Sequence, residues 1–258
     1  MKPTKIEGII NPDGTPGYSW SPFIGCLNSC PYCWARKCLA RSKCELCRKF
    51  TPHYHAERMD QPYTLKRPST IAVCWMGDVW RYSALAKVLN EKGSKWGLHR
   101  SGLVGIMGEL KQHTFLCLTR QPISYLCFCT TPPHPMAFSE NVWLGVTVTC
   151  QEDVDRIGPD FAGIDHPQKF VSYEPMLGEI RDWGKMGRIG WLYMGARTDG
   201  RGRVKMEPDI SWLVSARRAA SDCGAKVWEK RSLSYLAAEN MVELGGLELR
   251  KETPWLEI

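Results

Sequence analysis

From residue 71 to residue 228 one theme recurs: a short apolar run, a polar tip, then a stretch suited to a helix. The runs cover 71–74, 114–118, 142–146, 169–172, 191–194 and 226–228. They are continuously apolar instead of alternating, as strands covered on both faces are. Helices are expected between them, among them 101–111 and 210–223. The second places Ile210, Leu213, Val214, Arg217 and Arg218 at helical spacing and stops at Gly224. Such alternation builds βα units on a parallel sheet. The reading is an α/β fold, a partial parallel (βα)6-type barrel. It forms a single domain over 1–258 with a small Cys/His-rich insertion at 38–55.

Parallel barrels carry their chemistry at the carboxyl ends of strands. Polar residues stand there in this chain: Met76-Gly77-Asp78, Thr119-Arg120, Thr147 to Thr149, Ser172-Tyr173-Glu174, Arg197-Thr198 and Glu229-Lys230. Gly77 would let backbone approach a ligand closely, and Asp78 could pair with an ammonium or cap a helix. Glu174 could accept a proton or bind a hydroxyl or amino group; a salt bridge to a neighbouring Arg or Lys is the alternative. Arg120 and Lys230 are candidates to hold a carboxylate or phosphate.

The chain begins Met1-Lys2-Pro3-Thr4-Lys5 without an apolar signal core, and no run is long enough to span a bilayer. With 43% hydrophobic and 24% charged residues it reads as soluble, and as cytoplasmic. Its twelve cysteines then stand for metal ligands or buried thiols, not disulfides. A net charge of +7 mildly favours a polyanionic partner. The densest basic group, Arg197, Arg201, Arg203 and Lys205, reads as a solvated loop or a phosphate-contacting one.

The cysteines are not evenly spread. After an irregular lead-in over 1–17 and a single expected strand over 18–24 comes Gly25-Cys26-Leu27-Asn28-Ser29-Cys30-Pro31-Tyr32-Cys33, then a helix-compatible stretch from Trp34 to Ala40. Three thiolates in one loop suit a four-iron cube with one iron left without a protein ligand. A second metal site is read at Cys38, Cys44, Cys47 and His55, with His53 between, as C-x5-C-x2-C-x5-H-x-H. Zinc, free or buried thiols and an auxiliary iron–sulfur cluster are the three readings. Cys117, Cys150 and Cys223 read as core, and Cys127-Phe128-Cys129 as helix packing. Trp143 and Trp191 read as core fillers.

Cys26, Cys30 and Cys33, with Tyr32 before the last, resemble the cluster loop of the radical S-adenosylmethionine superfamily. The resemblance implies a [4Fe-4S] cluster, S-adenosyl-L-methionine on its open iron, and reductive cleavage to a 5′-deoxyadenosyl radical. It also implies an electron donor such as a flavodoxin or ferredoxin. Met76-Gly77-Asp78 resembles that superfamily's Gly-Gly-Glu-like motif, with Met for the first Gly and Asp for Glu. The strings 51–58, 74–78, 112–120, 141–146 and 172–178 together resemble a phage-associated radical-S-adenosylmethionine-like family of unknown function. On that resemblance Tyr32, Met76, Gly77, Asp78, Thr119, Ser172 and Glu174 would bind the cofactor. Glu174, Arg120 and Lys230 would serve catalysis, on a substrate read as a nucleotide, RNA or DNA. The alternative function is a zinc-dependent nucleic-acid-binding protein without catalysis.

Overall fold

The structure, a computed structural model, describes residues 1–81, 99–130, 137–199, 202–239 and 249–256. The chain divides into two compact units, Met1–Leu144 and Gly145–Ile258.

The first unit contains β1 (Tyr18–Trp20), β2 (Phe23–Ile24), α1 (Trp34–Leu39), α2 (Glu45–Lys49), β3 (His53–Tyr54), β4 (Thr70–Val73), α3 (His99–Glu109), β5 (Thr114–Thr119), α4 (Ile123–Thr130) and the start of β6 (Val142–Val148). Its main ladder runs β1-β4-β5-β6. The first pairings are parallel, with Tyr18 opposite Ile71 and Thr70 opposite Thr114. All four residues of β4 are buried, as a strand covered on both faces requires. Trp20 packs against Phe115 with ring centroids 6.1 Å apart, both fully buried.

The expected single strand over 18–24 is two strands. The break falls at Ser21-Pro22, where proline has no N–H to give a ladder. Trp20 still accepts the Cys74 N–H at 2.7 Å, whereas Pro22 accepts that of His55 at 2.7 Å. The chain thus steps from the main ladder to a small antiparallel one, Phe23 opposite Tyr54 and Ile24 opposite His53. That step starts the cysteine segment.

The second unit contains the end of β6, α5 (Gln151–Ala162), β7 (Lys169–Tyr173), β8 (Trp191–Met194), β9 (Arg197–Thr198), β10 (Val204–Met206), α6 (Ile210–Cys223), β11 (Lys226–Glu229) and α7 (Ser234–Glu239). Its ladder order is β6-β7-β8-β11, with Phe170 opposite Trp191 and Lys226 opposite Trp191, both parallel. Helix α6 occupies the span read from sequence. The Asp209 carboxylate accepts the Ser211 N–H at 2.8 Å, and Gly224 closes the helix at φ +71°. Its buried face is Leu213, Ala216, Arg217 and Ala220, and Val214 is 41% exposed.

Mixed α/β architecture with parallel strands is therefore present in both units. The basic segment around Arg197 is no open loop but an antiparallel hairpin, β9–β10. Within it Asp199 accepts the Arg203 N–H and sits 3.9 Å from the Lys205 ammonium; Arg201 lies outside the described residues, as does 131–136. Cys117, Trp143 and Trp191 are buried as expected, whereas Cys150 and Cys223 are half-buried. Cys127 lies in α4; the side chains of Phe128 and Cys129 lie outside the described residues. Among the described residues, no helix is long and apolar enough to cross a membrane.

Candidate metal centres

The loop Gly25 to Cys33 leaves β2 at a point where only glycine fits. Gly25 has φ +89°, and a Cβ there would lie 2.4 Å from the Thr51 carbonyl oxygen. Its N–H donates to the Met76 carbonyl at 3.2 Å. Gly77 faces it: a Cβ on Gly77 would lie 2.5 Å from the Gly25 carbonyl oxygen. Two glycines thus bring the loop's first residue against the turn that follows β4.

Asp78 fastens the rest. It is buried and accepts from Asn28 Nδ2 at 3.2 Å, Thr119 Oγ1 at 2.8 Å and the Arg120 N–H at 3.1 Å. Burial pushes its carboxyl above the usual range against the pull of these donors, Arg120 first. Arg81 holds Asn28 from the other side, donating to Oδ1 at 2.5 Å, and Arg120 Nη1 donates to the Tyr32 hydroxyl. Loop residues 28 and 32 are therefore tied to the carboxyl ends of β4 and β5. We expect Asp78→Asn to cost about 1–3 kcal/mol, because an amide turns its NH2 toward a donor. Thermal unfolding measures it.

The three thiols are partly exposed and free. Cys26 Sγ accepts the Asn28 N–H at 3.2 Å and Cys33 Sγ the Arg36 N–H at 3.4 Å. Burial, and then the charge of Asp78, push the Cys26 thiol up to about 12. A thiolate there needs a cation, and backbone N–H groups aimed at sulfur are what a cluster ligand receives. Three thiols in one loop are of the donor type that an iron–sulfur cluster takes.

A second group converges more tightly. Cys44 is the N-cap of α2 and Cys47 lies within it, while His53 lies on β3 and His55 just beyond. Residues two apart on an extended segment share a face, so both rings point the same way. Cys47 Sγ lies 3.4 Å from His53 Nε2 and 3.3 Å from His55 Nε2, Cys44 Sγ 3.6 Å from His53 Nε2, and the two Nε2 atoms 3.0 Å apart. All four ligand atoms lie within 4.8 Å of one another, an arrangement able to hold a metal ion. The N–H groups of Cys47 and Leu46 hold the Cys44 thiol below its ordinary value, burial pushes Cys47 up, and burial pulls His55 down.

A family model described as Protein of unknown function (DUF5131) matches residues 16–246. The chain belongs to that family. No curated protein and no solved structure matches it.

In this DUF5131 member the residues expected at a second metal site are partly regrouped. Cys44, Cys47 and His55 converge, His53 joins them, and Cys38 sits exposed on α1 outside the group. Sequence spacing alone gives no strand register, and β3 is two residues long with no apolar run to announce it. The strand parity of 53 and 55 is the signal that could have placed His53. Asn28 and Arg81, which hold the loop, carried no signal at all. Tyr32, Met76, Gly77, Asp78, Thr119 and Arg120 come together in the first unit. In the second unit Lys230 Nζ meets Glu174 Oε1 at 2.5 Å and lies over the Tyr193 ring, beside buried Ser172. The salt-bridge alternative for Glu174 is what the second unit contains.

Proposed function

We propose that this protein is a radical S-adenosylmethionine enzyme, with a [4Fe-4S] cluster held by Cys26, Cys30 and Cys33. The observation that carries the reading is one loop with three partly exposed thiols, fastened through Gly25, Asn28 and Tyr32 to the carboxyl ends of parallel strands β4 and β5. When bound, the cluster would supply the electron that splits S-adenosylmethionine. The chain's own part is to hold and shield. Gly77 keeps the turn after β4 close to the loop, Asp78 keeps one lone pair beyond its three protein donors, and Thr119 is committed to Asp78. Arg120 orients Tyr32. Glu174 and Lys230 would hold or protonate substrate once their mutual pairing is exchanged for it.

The fold that suits this chemistry is a partial (βα)6-type barrel, and the setting a reducing cytoplasm with a flavodoxin or ferredoxin as donor. A phage-associated role on nucleotides, RNA or DNA is the substrate reading. Purified without oxygen, the chain should be brown with about four iron and four sulfide. Given S-adenosylmethionine and a strong reductant it should release 5′-deoxyadenosine, faster when nucleic acid is its substrate. Colourless protein containing zinc alone would refute the cluster.

A second reading, a zinc-dependent nucleic-acid binder, draws on a different observation. The Cys/His group sits in a segment exposing Arg36, Lys37, Arg41, Lys43, Arg48 and Lys49. Such a binder would be colourless, and its affinity for nucleic acid would fall steeply with salt.

A further inference from the structure

The two histidines of the converging group carry an electrostatic instruction. His53 Nδ1 lies 2.7 Å from the Thr51 carbonyl oxygen, and His55 Nδ1 lies 2.9 Å from Glu57 Oε1. Both partners only accept, so each ring must place its proton on Nδ1. In the neutral rings both Nε2 atoms then present lone pairs to each other across 3.0 Å. Two lone pairs that close repel unless a cation stands between them. Imidazoles fixed from behind by a carbonyl and a carboxylate are how metal-ligating histidines are oriented.

The spacings suit zinc. Zinc bonds of about 2.3 Å to sulfur and 2.0 Å to nitrogen, arranged as a tetrahedron, put sulfur–nitrogen pairs at about 3.5 Å and nitrogen pairs at about 3.3 Å. Three sulfur–nitrogen pairs and the nitrogen pair of this group lie 3.0 to 3.6 Å apart. Four protein ligands fill a tetrahedron and leave no position for water, the mark of a structural site.

The site also reaches the cysteine loop. Thr51 O, which accepts from His53, is the same atom against which Gly25 packs so closely that no Cβ fits. The Thr51 N–H donates to Leu46 in α2, and the His55 N–H to Pro22 beside β2. Arg36 of α1 lies over the Phe50 ring at 4.8 Å. Residues 25–52 are therefore one excursion whose two ends meet at the Cys/His group.

We propose that Cys44, Cys47, His53 and His55 hold one structural zinc ion, and that this ion locks the base of the Cys26–Cys33 loop. The zinc site stands whether or not the loop binds iron; its effect on the loop's function rests on the cluster reading. The test uses the full chain. Metal analysis should find one zinc per chain, and cobalt(II) put in its place should give the intense visible bands of tetrahedral coordination. Cys47→Ala should lose the metal and be cut about tenfold faster by trypsin within residues 34–50, because metal binding and local folding are coupled. Should that variant fail to fold, Glu57→Ala serves, since its carboxylate is largely exposed. It should weaken zinc about tenfold in chelator competition with unchanged circular dichroism. Cys38→Ala, and Cys26→Ala with Cys30→Ala and Cys33→Ala together, should both keep the zinc. Substoichiometric zinc with no tetrahedral cobalt bands, zinc kept by Cys47→Ala, or zinc lost with the loop triple would each overturn the assignment. Zinc present without iron would sink the enzyme reading and leave this one standing.

Discussion

On the proposed cluster reading, replacing Cys26, Cys30 or Cys33 singly by alanine is expected to cut iron to about a tenth or less of the wild-type content, with the chain still folded. A cube anchored by three thiolates drops to two when one is lost, and two corners do not hold it against exchange with buffer thiols. All three thiols are partly exposed, so a folding defect is not the expected route. Asn28 and Tyr32 would still be tied to Asp78 and Arg120. Iron and sulfide analysis of anaerobically reconstituted protein measures the loss, and zinc content in the same samples should stay at one per chain. A fully loaded cluster in all three variants would take the iron away from this loop.

The strands and long helices were legible in the sequence because burial wrote them there. Residues 191–194 are apolar throughout and form β8 over that span. Asp209 and Gly224 punctuate α6 at both ends. Short elements fared worse. Pro22 was in plain view, yet an aromatic and β-branched run around it read as one strand, when a missing N–H had to end the ladder there. The second metal group was legible in composition and not in membership. Cys38 follows the pattern in spacing but sits exposed on α1, and His53 enters through a two-residue strand whose register depends on Phe23 and Ile24. Local chemistry writes itself into sequence; pairings between distant segments do not.

Arg217 shows that limit most sharply, and its replacement by alanine is expected to cost about 3–5 kcal/mol. From sequence it was a basic residue at helical spacing with Ile210, Leu213 and Val214, with nothing to say what it would meet. In the structure its guanidinium is buried and meets the fully buried Glu229 carboxylate through Nε at 2.5 Å and Nη2 at 2.6 Å. Glu229 also accepts the Arg250 N–H at 3.0 Å, so the pair joins α6, β11 and the segment before the carboxyl end. Removing the arginine leaves a carboxylate without its counter-charge in the core, a loss far larger than an exposed pair gives. For a chain of this size the melting temperature should fall by roughly 6–20 °C, read by circular dichroism. Arg217→Met combined with Glu229→Gln removes both charges and retains a carbonyl for the Arg250 N–H, so it should recover most of the loss. If the double variant melts as low as Arg217→Ala, packing around the guanidinium and not the stranded charge accounts for the cost. If Arg217→Ala melts with the wild type, water reaches Glu229 and the pair contributes little to holding the second unit together.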